Sequence, residues 1–537
     1  MQNLAKHISY KQIHQKYPIP GKIQVENNAG GFVYSLDCWK RLNRFLILGS
    51  EGGTYYAGER DVTIQNTQVL HECATEDCTR TINTIVEVSE SGRAPKNDPA
   101  ILALAVLASS ADPRARYEAL NALPRVCRIG THLFQFIAAC KELRGWGRGL
   151  RGAVASWYNS KPVDRLTYQV TKYRNRAGYT HRDALRLSHP KADTEDKNRL
   201  YKWITTGTLP LLLGEDAVSD DFKYVIGLTR ANALDKNDVR NMVRLIDKYD
   251  LVFEHVPNHF LSKPEVWEAM LPNLKPTALI RNLGKMTSIG LLSPLSQATK
   301  YVCDTLNNPE ALKLARVHPL SILLASDTYG QGHGFKGSLT WNPNQQIKAA
   351  LESAFYAAFD AVEPTNKRHL LAIDVSGSMG LTQSRIAGTN ITARQAAAAM
   401  SLVTNRIEPQ TYTLGFSHEL VDLAITSRSD LNSVVQTMKN LPMKRTNCAL
   451  PMLHAIEHKL NVDAFVVYTD NETWFGDIHP SQALDKYRQA SGIDAKLIVV
   501  GMTATEFTIA DPNDSGMLDV VGMDSSCPAI MADFVRD

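Results

Sequence analysis

Four short runs near the carboxyl end, 370–374, 411–417, 464–469 and 496–501, are apolar or β-branched almost throughout. Helical-looking stretches at 392–406, 449–460 and 480–490 separate them. Strands buried on both faces read as continuous apolar runs, and strands that alternate with helices form a parallel sheet covered on each side. The carboxyl third is therefore predicted to be a doubly wound α/β domain, whose ligands bind beyond the carboxyl ends of the strands. Upstream, from about 30 to 360, the pattern is different. Apolar residues recur at helical spacing in 39–48, 99–109, 115–123, 131–143, 239–249, 264–271 and 277–286, broken by Gly, Pro and Asn. Little of this part alternates with period two, so it is predicted to be α-helical, in short successive helices that suit an irregular helical-repeat solenoid. The 537 residues thus divide into a helical domain, 1–362, and an α/β domain, 363–537, an α + α/β chain.

The first of those strands stops at an acid and enters a turn with two hydroxyls, Asp374-Val375-Ser376-Gly377-Ser378. Thr446 stands just before the helix at 449, and Asp470 ends the strand 464–469. In a doubly wound sheet these elements can meet on one rim. Asp374, Ser376, Ser378, Thr446 and Asp470 are all hard oxygen donors, which suit Mg²⁺ first and Mn²⁺ second. Asp, Ser and Gly also populate ordinary turns for local reasons, so a plain turn is the competing reading. The spacing resembles the metal-ion-dependent adhesion site of von Willebrand factor A domains. Such a site leaves a coordination position for a partner's acidic group and works by binding; no base or nucleophile stands beside it, and His418 reads as a surface histidine.

The net charge of +4 hides an uneven distribution. Residues 141–202 hold fifteen Lys and Arg against six acids, a net +9, which leaves the rest of the chain at −5. Such concentration favours a polyanion partner. Leu166, Val170, Tyr173 and Ala177 fall at the spacing of one buried helical stripe, with Arg165, Lys172 and Arg176 on its flank and Arg174 pointing elsewhere. Gly178 suits the end of that helix, Thr180 and Asp183 form a capping box for the next, and Pro190 stops it before Lys191. On this second helix Arg182, Arg186 and His189 recur at i, i+4 and i+7. The expectation is a pair of basic faces for RNA phosphates, with His189 and Tyr179 available to stack on bases; a solvated helix surface is the alternative. Arg148 and Arg151, in Gly147-Arg148-Gly149-Leu150-Arg151-Gly152, are read as a flexible Arg-Gly loop added to this surface. The same segment matches a dinucleotide fingerprint, but it follows a helix where that fingerprint requires a strand. Arg281 and Lys285 are expected to add a second basic edge, with helix-surface solubility as the alternative reading.

Other classes find little support. Met1–Lys16 contains no apolar signal core, and no apolar run approaches the ~18 residues that cross a bilayer. The eight cysteines are scattered; Cys73 and Cys78 lack the second ligand pair of a zinc site, and reduced thiols are expected. Pro257 between His255 and His259 argues against a helical metal pair.

Four segments are similar to the TROVE-domain Ro autoantigen family: 45–56, 181–190, 277–286, and the Asp374 motif together with Thr469-Asp470-Asn471-Glu472-Thr473. The resemblance spans nearly the whole chain. It implies a helical part closed into a ring of HEAT-like repeats, joined to an A domain whose metal ligands map onto Asp374, Ser376, Ser378, Thr446 and Asp470. His181 enters the expected RNA surface through this resemblance. The implied partners are Y RNA on the outer basic surface and misfolded small RNAs, such as ribosomal RNA precursors, with single-stranded 3′ ends in the hole. The implied role is RNA quality control and Y RNA stabilisation without catalysis, by a monomer within a ribonucleoprotein in the cytoplasm with a nuclear pool, away from membranes. One local departure is a long loop at 380–390. A different class of function, a metal-dependent protein-binding adaptor, rests on the A-type site alone, with a protein partner offering an acidic group. An RNA-processing enzyme would need acids or a His/Lys pair in the basic region, and Asp164 and Asp183 alone do not supply them.

Overall fold

Helices make up nearly all the regular structure between residues 70 and 357, and proline marks many of their starts. Pro113, Pro264, Pro276, Pro309 and Pro319 each open a helix, where the missing N–H costs nothing because no intrahelical acceptor exists there. The computed structural model describes residues 12–49, 59–207, 220–334, 338–359, 362–381, 384–386, 389–441 and 445–537. Among these, Leu70–Gly92 and Lys96–Ala358 form one compact unit; the residues up to Val69, Arg93–Pro95 and Phe359–Asp537 form the other. This grouping differs from the division expected at residue 362, because the described residues before Leu70 pack with the α/β unit.

In the helical unit the predicted segments reappear closely, for example Gly130–Leu143, Val239–Tyr249 and Pro276–Ser288. Each buries one stripe: Leu133, Phe134, Phe136 and Ile137 on the first, Met242, Ile246 and Tyr249 on the second. Asp77 breaks the long helix Glu59–Ser91 by leaving helical geometry at φ −152°, ψ 96°. The strands described in this unit are Asn175–Arg176 and Tyr179–Thr180, an antiparallel pair.

The α/β unit holds a six-stranded sheet in the order Met517–Val521, Lys496–Gly501, Ala464–Thr469, Arg368–Asp374, Gln410–Phe416, Leu420–Val421. All neighbours are parallel except the last, an antiparallel edge. From Arg368–Asp374 the chain crosses first to one side and later to the other. The strand order therefore reverses between Arg368–Asp374 and Ala464–Thr469, and a crevice opens at their carboxyl ends. A second sheet pairs Val25–Glu26 with Phe32–Ser35, and that strand with Phe507–Thr508. Val33 joins Leu370, Phe465, Val467, Leu497 and Ile509 in one core, so the N-terminal residues are structural parts of this unit.

The helix Cys38–Leu48 follows, its first turn capped by the Asp37 carboxylate, which accepts from Lys40 N at 2.8 Å. Its Arg44 is buried: one amino group meets Asp519 Oδ1 at 2.5 Å, and the other donates to the carbonyls of Thr505 and Phe507 at 3.1 and 3.0 Å. Removing the guanidinium leaves Asp519 buried without a counter-charge. Arg44→Met should therefore cost about 3–5 kcal/mol of stability, and Arg44→Met with Asp519→Leu should recover most of it. Urea denaturation of the two variants checks this; equal losses in both would contradict it.

Candidate metal centre and basic surface

Asp374 ends its strand, and Asp470 follows the end of the neighbouring one. Ile373 pairs with Tyr468, so the two acids leave the sheet at nearly the same level, at the switch point. The geometry around Asp374 is fixed from three directions. Its Oδ1 accepts from Ser376 N at 2.9 Å, its Oδ2 from the Thr469 hydroxyl at 2.7 Å, and Ser376 Oγ lies 3.1 Å from Ser378 Oγ. Asp470 Oδ1 accepts from Glu472 N at 3.0 Å. The Thr446 loop is tied in by its carbonyl, which accepts from Trp474 N and Phe475 N at 3.3 and 3.0 Å, and by Asn447 N, which donates to Ser417 O at 2.8 Å. All five predicted donors, Asp374, Ser376, Ser378, Thr446 and Asp470, are buried, on loops that the backbone ties together.

Burial pushes both carboxyls up, Asp470 to about 7, and the charge of Asp374 is the next cause at Asp470. Hydrogen bonds from Ser376 and Thr469 pull Asp374 part of the way back. Two like charges in one buried pocket are the arrangement that a divalent cation offsets. Among the described residues no group of three or more His, Cys, Asp or Glu side chains is placed to hold a metal. The donor set is accordingly two carboxylates plus hydroxyls, a fit to Mg²⁺ or Mn²⁺ completed by water rather than to zinc.

Several supporting residues carry no short motif. Arg394, buried in the helix Ala393–Ile407, donates to Ser376 O at 2.7 Å and to Leu441 O at 3.0 Å, holding the loop after Asp374 against its neighbour. From the N-terminal segment, Asn27 donates to the carbonyls of Asn471 and Thr473 at 3.2 and 2.8 Å, and Asn28 to Glu472 Oε1 at 2.7 Å. Gln15 reaches Asn447 Oδ1 and Ile478 O, each at 2.8 Å. Gly31 passes so close that a Cβ there would lie 1.9 Å from Thr473 O. Glu472, buried beneath this strap, is pushed up to about 8, first by burial and then by Asp470. Separation in sequence hid these partners: more than 400 residues divide Asn27 from the loop that it fastens.

The basic region keeps its charge but changes its shape. The helix Val163–Lys172 stops at Tyr173, and Asn175–Arg176 pairs with Tyr179–Thr180 across Ala177 and Gly178, both with positive φ (50° and 79°), as a tight two-residue hairpin turn requires. Arg165, Lys172 and Arg176 therefore do not share one helical flank; Arg176 stands opposite Tyr179 on a hairpin. Arg148 and Arg151 are not in a loop but in the first turn of the helix Arg148–Asn159. The predicted capping box is present: Thr180 Oγ1 accepts from Asp183 N at 3.2 Å, and Asp183 Oδ2 from Thr180 N at 3.0 Å. This helix, His181–Ser188, ends at His189, whose φ of 46° takes it off the face of Arg182 and Arg186.

Three expected RNA contacts are otherwise engaged. His181 is 4% exposed, packed against Phe134 and Trp157, with Nδ1 2.7 Å from Tyr158 OH. A helix-opening histidine with an aromatic pocket is core, so its expected place on the RNA surface is corrected. Lys172 donates to Tyr168 OH at 3.0 Å and lies 3.6 Å from Glu254, its side chain 8% exposed. Arg174 donates to the carbonyls of Thr171 and Glu254. Arg148, Arg151, Arg176, Arg182, Arg186, His189, Lys191 and Arg281 are exposed, while Tyr179 and Lys285 are half-buried. Arg281 is near enough to Tyr173 for its charge to act on that phenol. His255 and His259 fall in separate 3₁₀ turns, and His255 Nε2 lies 3.1 Å from Thr171 Oγ1.

A helical unit with a basic surface and an A-type α/β unit with a carboxylate–hydroxyl pocket define a two-domain binding protein of the TROVE class. The TROVE domain family matches residues 25–209 and 246–329, and the Ro60 vWA domain family matches 368–535. A Deinococcus radiodurans protein named RNA-binding protein RO60 is 44% identical over 96% of this chain and 95% of its own length. A Caenorhabditis elegans protein of the same name is 36% identical, over 95% and 90%. The crystal structure of Deinococcus radiodurans RO (RSR) protein superposes with a TM-score of 0.68 at 42% identity, covering 93% of this chain and 99% of that one. The chain belongs to the TROVE-domain Ro60 family. No helix among the described residues is long and apolar enough to cross a membrane.

Burial lowers three histidines of the helical unit, His181 and His255 to about 3 and His132 to about 4. Each is neutral when folded and regains its ordinary affinity for a proton, near pH 6.5, only on unfolding. Their contribution is fully present above about pH 6.5 and is lost as the pH falls towards 4, at up to about 1.4 kcal/mol per pH unit for each. The buried carboxyls of the α/β unit act the other way, so the difference between proteins is the readout: between pH 7 and 4.5 the unfolding midpoint of wild type should lose ground relative to that of His255→Gln. Parallel slopes would contradict the assignment.

Proposed function

We propose that this chain is an RNA-binding protein whose helical unit carries the RNA-binding surface and whose α/β unit carries a Mg²⁺-dependent binding site. The observation that carries the first half is a set of exposed cations with no carboxylate partner among the described residues: Arg148, Arg151, Arg176, Arg182, Arg186 and Lys191. Within the same basic window, Lys197 and Arg199 are paired, with Asp193 and Glu195 at 2.8 and 2.7 Å. The helices that bear Arg148, Arg151, Arg182 and Arg186 are neighbours, since Trp146 Nε1 donates to Leu187 O and Asn159 Nδ2 to Lys191 O. The helix Arg148–Asn159 also starts without an acid in its first turn and without a side-chain cap, leaving N–H groups to a phosphate. Cations left unpaired in water suit a polyanion and give counterion release when it binds.

Two relatives named as RNA-binding proteins support this reading. The finer assignment follows the family resemblance: Y RNA on the basic surface, single-stranded 3′ ends of misfolded RNAs in a ring hole, and a role in RNA quality control without catalysis. Arg182→Ala with Arg186→Ala should weaken binding of a small structured RNA about tenfold or more and make the log–log salt slope shallower by roughly one to two. A folded variant with unchanged affinity and slope would remove the surface from the account.

At the metal centre, Asp374, Ser376, Ser378, Thr446 and Asp470 would hold Mg²⁺ directly or through water, Arg394 and Thr469 keeping the ligand loops in place. The bound ion supplies a Lewis-acidic position for a partner's acidic group. Millimolar Mg²⁺ or Mn²⁺ should raise the thermal midpoint of the wild type and leave that of Asp470→Asn unchanged. Calorimetry should find one Mn²⁺ site in wild type and none in the variant; equal binding by both would place the ion elsewhere.

A further inference from the structure

The loops that carry Thr446 and Asp470 also bring cations and aromatic rings together. Arg445 precedes the ligand Thr446, and its guanidinium lies 5.3 Å from the Trp474 ring centre and 5.1 Å from that of Phe475. The Lys16 ammonium is 5.0 Å from the Trp474 ring. Trp474 and Phe475 meet edge to face, 5.8 Å apart, and the His418 ring lies 6.1 Å from Phe475. These positions are held by the same bonds as the pocket. Trp474 N and Phe475 N donate to Thr446 O, and buried Gln15 places Lys16 by bonding to Asn447. Arg445 and Lys16 are exposed, and among the described residues neither has a carboxylate partner; the nearby acid Glu419 lies 4.0 Å from His418. A cation that only needs solvation does not require two rings beneath it. Guanidinium and indole planes beside a hard-cation site match a ligand with both an anionic oxygen and a flat ring.

We propose that this cluster forms the mouth of the carboxylate pocket and binds a single-stranded nucleotide, with a phosphate oxygen taken by the cation of the pocket and a base set against Trp474, Phe475 and Arg445. The proposal rests on the reading of that pocket as a divalent-cation site. A nucleotide uses every part of the rim: phosphate oxygens are hard ligands, the next phosphate meets Arg445 or Lys16, and stacking on aromatic rings tolerates any base. An acidic peptide would use the cation and Arg445 but leave the rings without a role. The α/β unit would then be a second RNA contact, separate in chemistry from the basic helices.

The test loads the full chain with less than one equivalent of Mn²⁺ and adds a short single-stranded oligoribonucleotide. Electron–nuclear double resonance then reads whether phosphorus couples to the bound ion. The expected result is a phosphorus coupling in wild type that is absent in Asp470→Asn. Trp474→Leu and Arg445→Gln should keep wild-type Mn²⁺ affinity and each raise the oligonucleotide concentration needed for half the signal by roughly fivefold or more. Mn²⁺ bound normally with no phosphorus coupling would overturn the proposal and leave the metal site standing. So would a Mn²⁺ spectrum changed by a glutamate-rich peptide and not by RNA. Failure of wild type to bind Mn²⁺ would overturn both.

Discussion

Two carboxylates leave neighbouring parallel strands at the same level and are buried together. That constraint organises the α/β unit. Neither Asp374 nor Asp470 can be ionised there at low cost unless positive charge comes close: burial pushes both up, and the charge of Asp374 pushes Asp470 further. The surroundings are arranged to hold the pair in spite of this. Thr469 and Ser376 bind one carboxylate, and Arg394 braces the loop between them. The N-terminal segment crosses the second loop through Asn27, Asn28 and Gln15. The strap residues Gln15, Asn27 and Asn28 and the last third of the chain are therefore packed around one site, and a change in the strap would alter the position of the Asp470 loop.

The helical unit follows a different logic. Its interior is ordinary apolar helix packing, with buried histidines such as His181 and His255 kept neutral by burial, helped at His255 by the charges of Lys172 and Arg174. Its function is written on what the packing leaves unsatisfied. Lys172 and Arg174 are spent on tyrosine, carboxylate and carbonyl partners, whereas Arg182 and Arg186 are exposed and have no carboxylate partner among the described residues. Counting basic residues identifies the region; only the pairing pattern separates the structural cations from those free to meet phosphates.

Much of this was legible in the sequence. Strands buried on both faces leave unbroken apolar runs, so Ala464–Thr469 and Lys496–Gly501 could be delimited to the residue, and the acids at strand ends followed from them. Half-exposed Met517–Val521 and the two-residue strands leave no such run and were missed. The Tyr173–Thr180 stretch misled for a physical reason: Leu166, Val170 and Tyr173 keep helical spacing, but Ala177-Gly178 adopts a turn with positive φ, and the pairing of Arg176 with Tyr179 outweighs one more turn of helix. Arg148 and Arg151 were read as loop because three glycines surround them, yet Leu150, Val154 and Trp157 bury one helical face and settle the matter. The strap and Arg394 could not be read at all, since their partners are distant in sequence and their residue types are common.

The central claim is that RNA meets the unpaired basic residues of the helical unit. Photo-crosslinking a bound small RNA to the intact protein, followed by mass spectrometric mapping, tests it most directly. The account predicts that crosslinked peptides concentrate between residues 141 and 202, around Arg148, Arg151, Arg176, Arg182, Arg186 and Lys191. Crosslinks absent from that stretch, with RNA bound at full affinity, would contradict it.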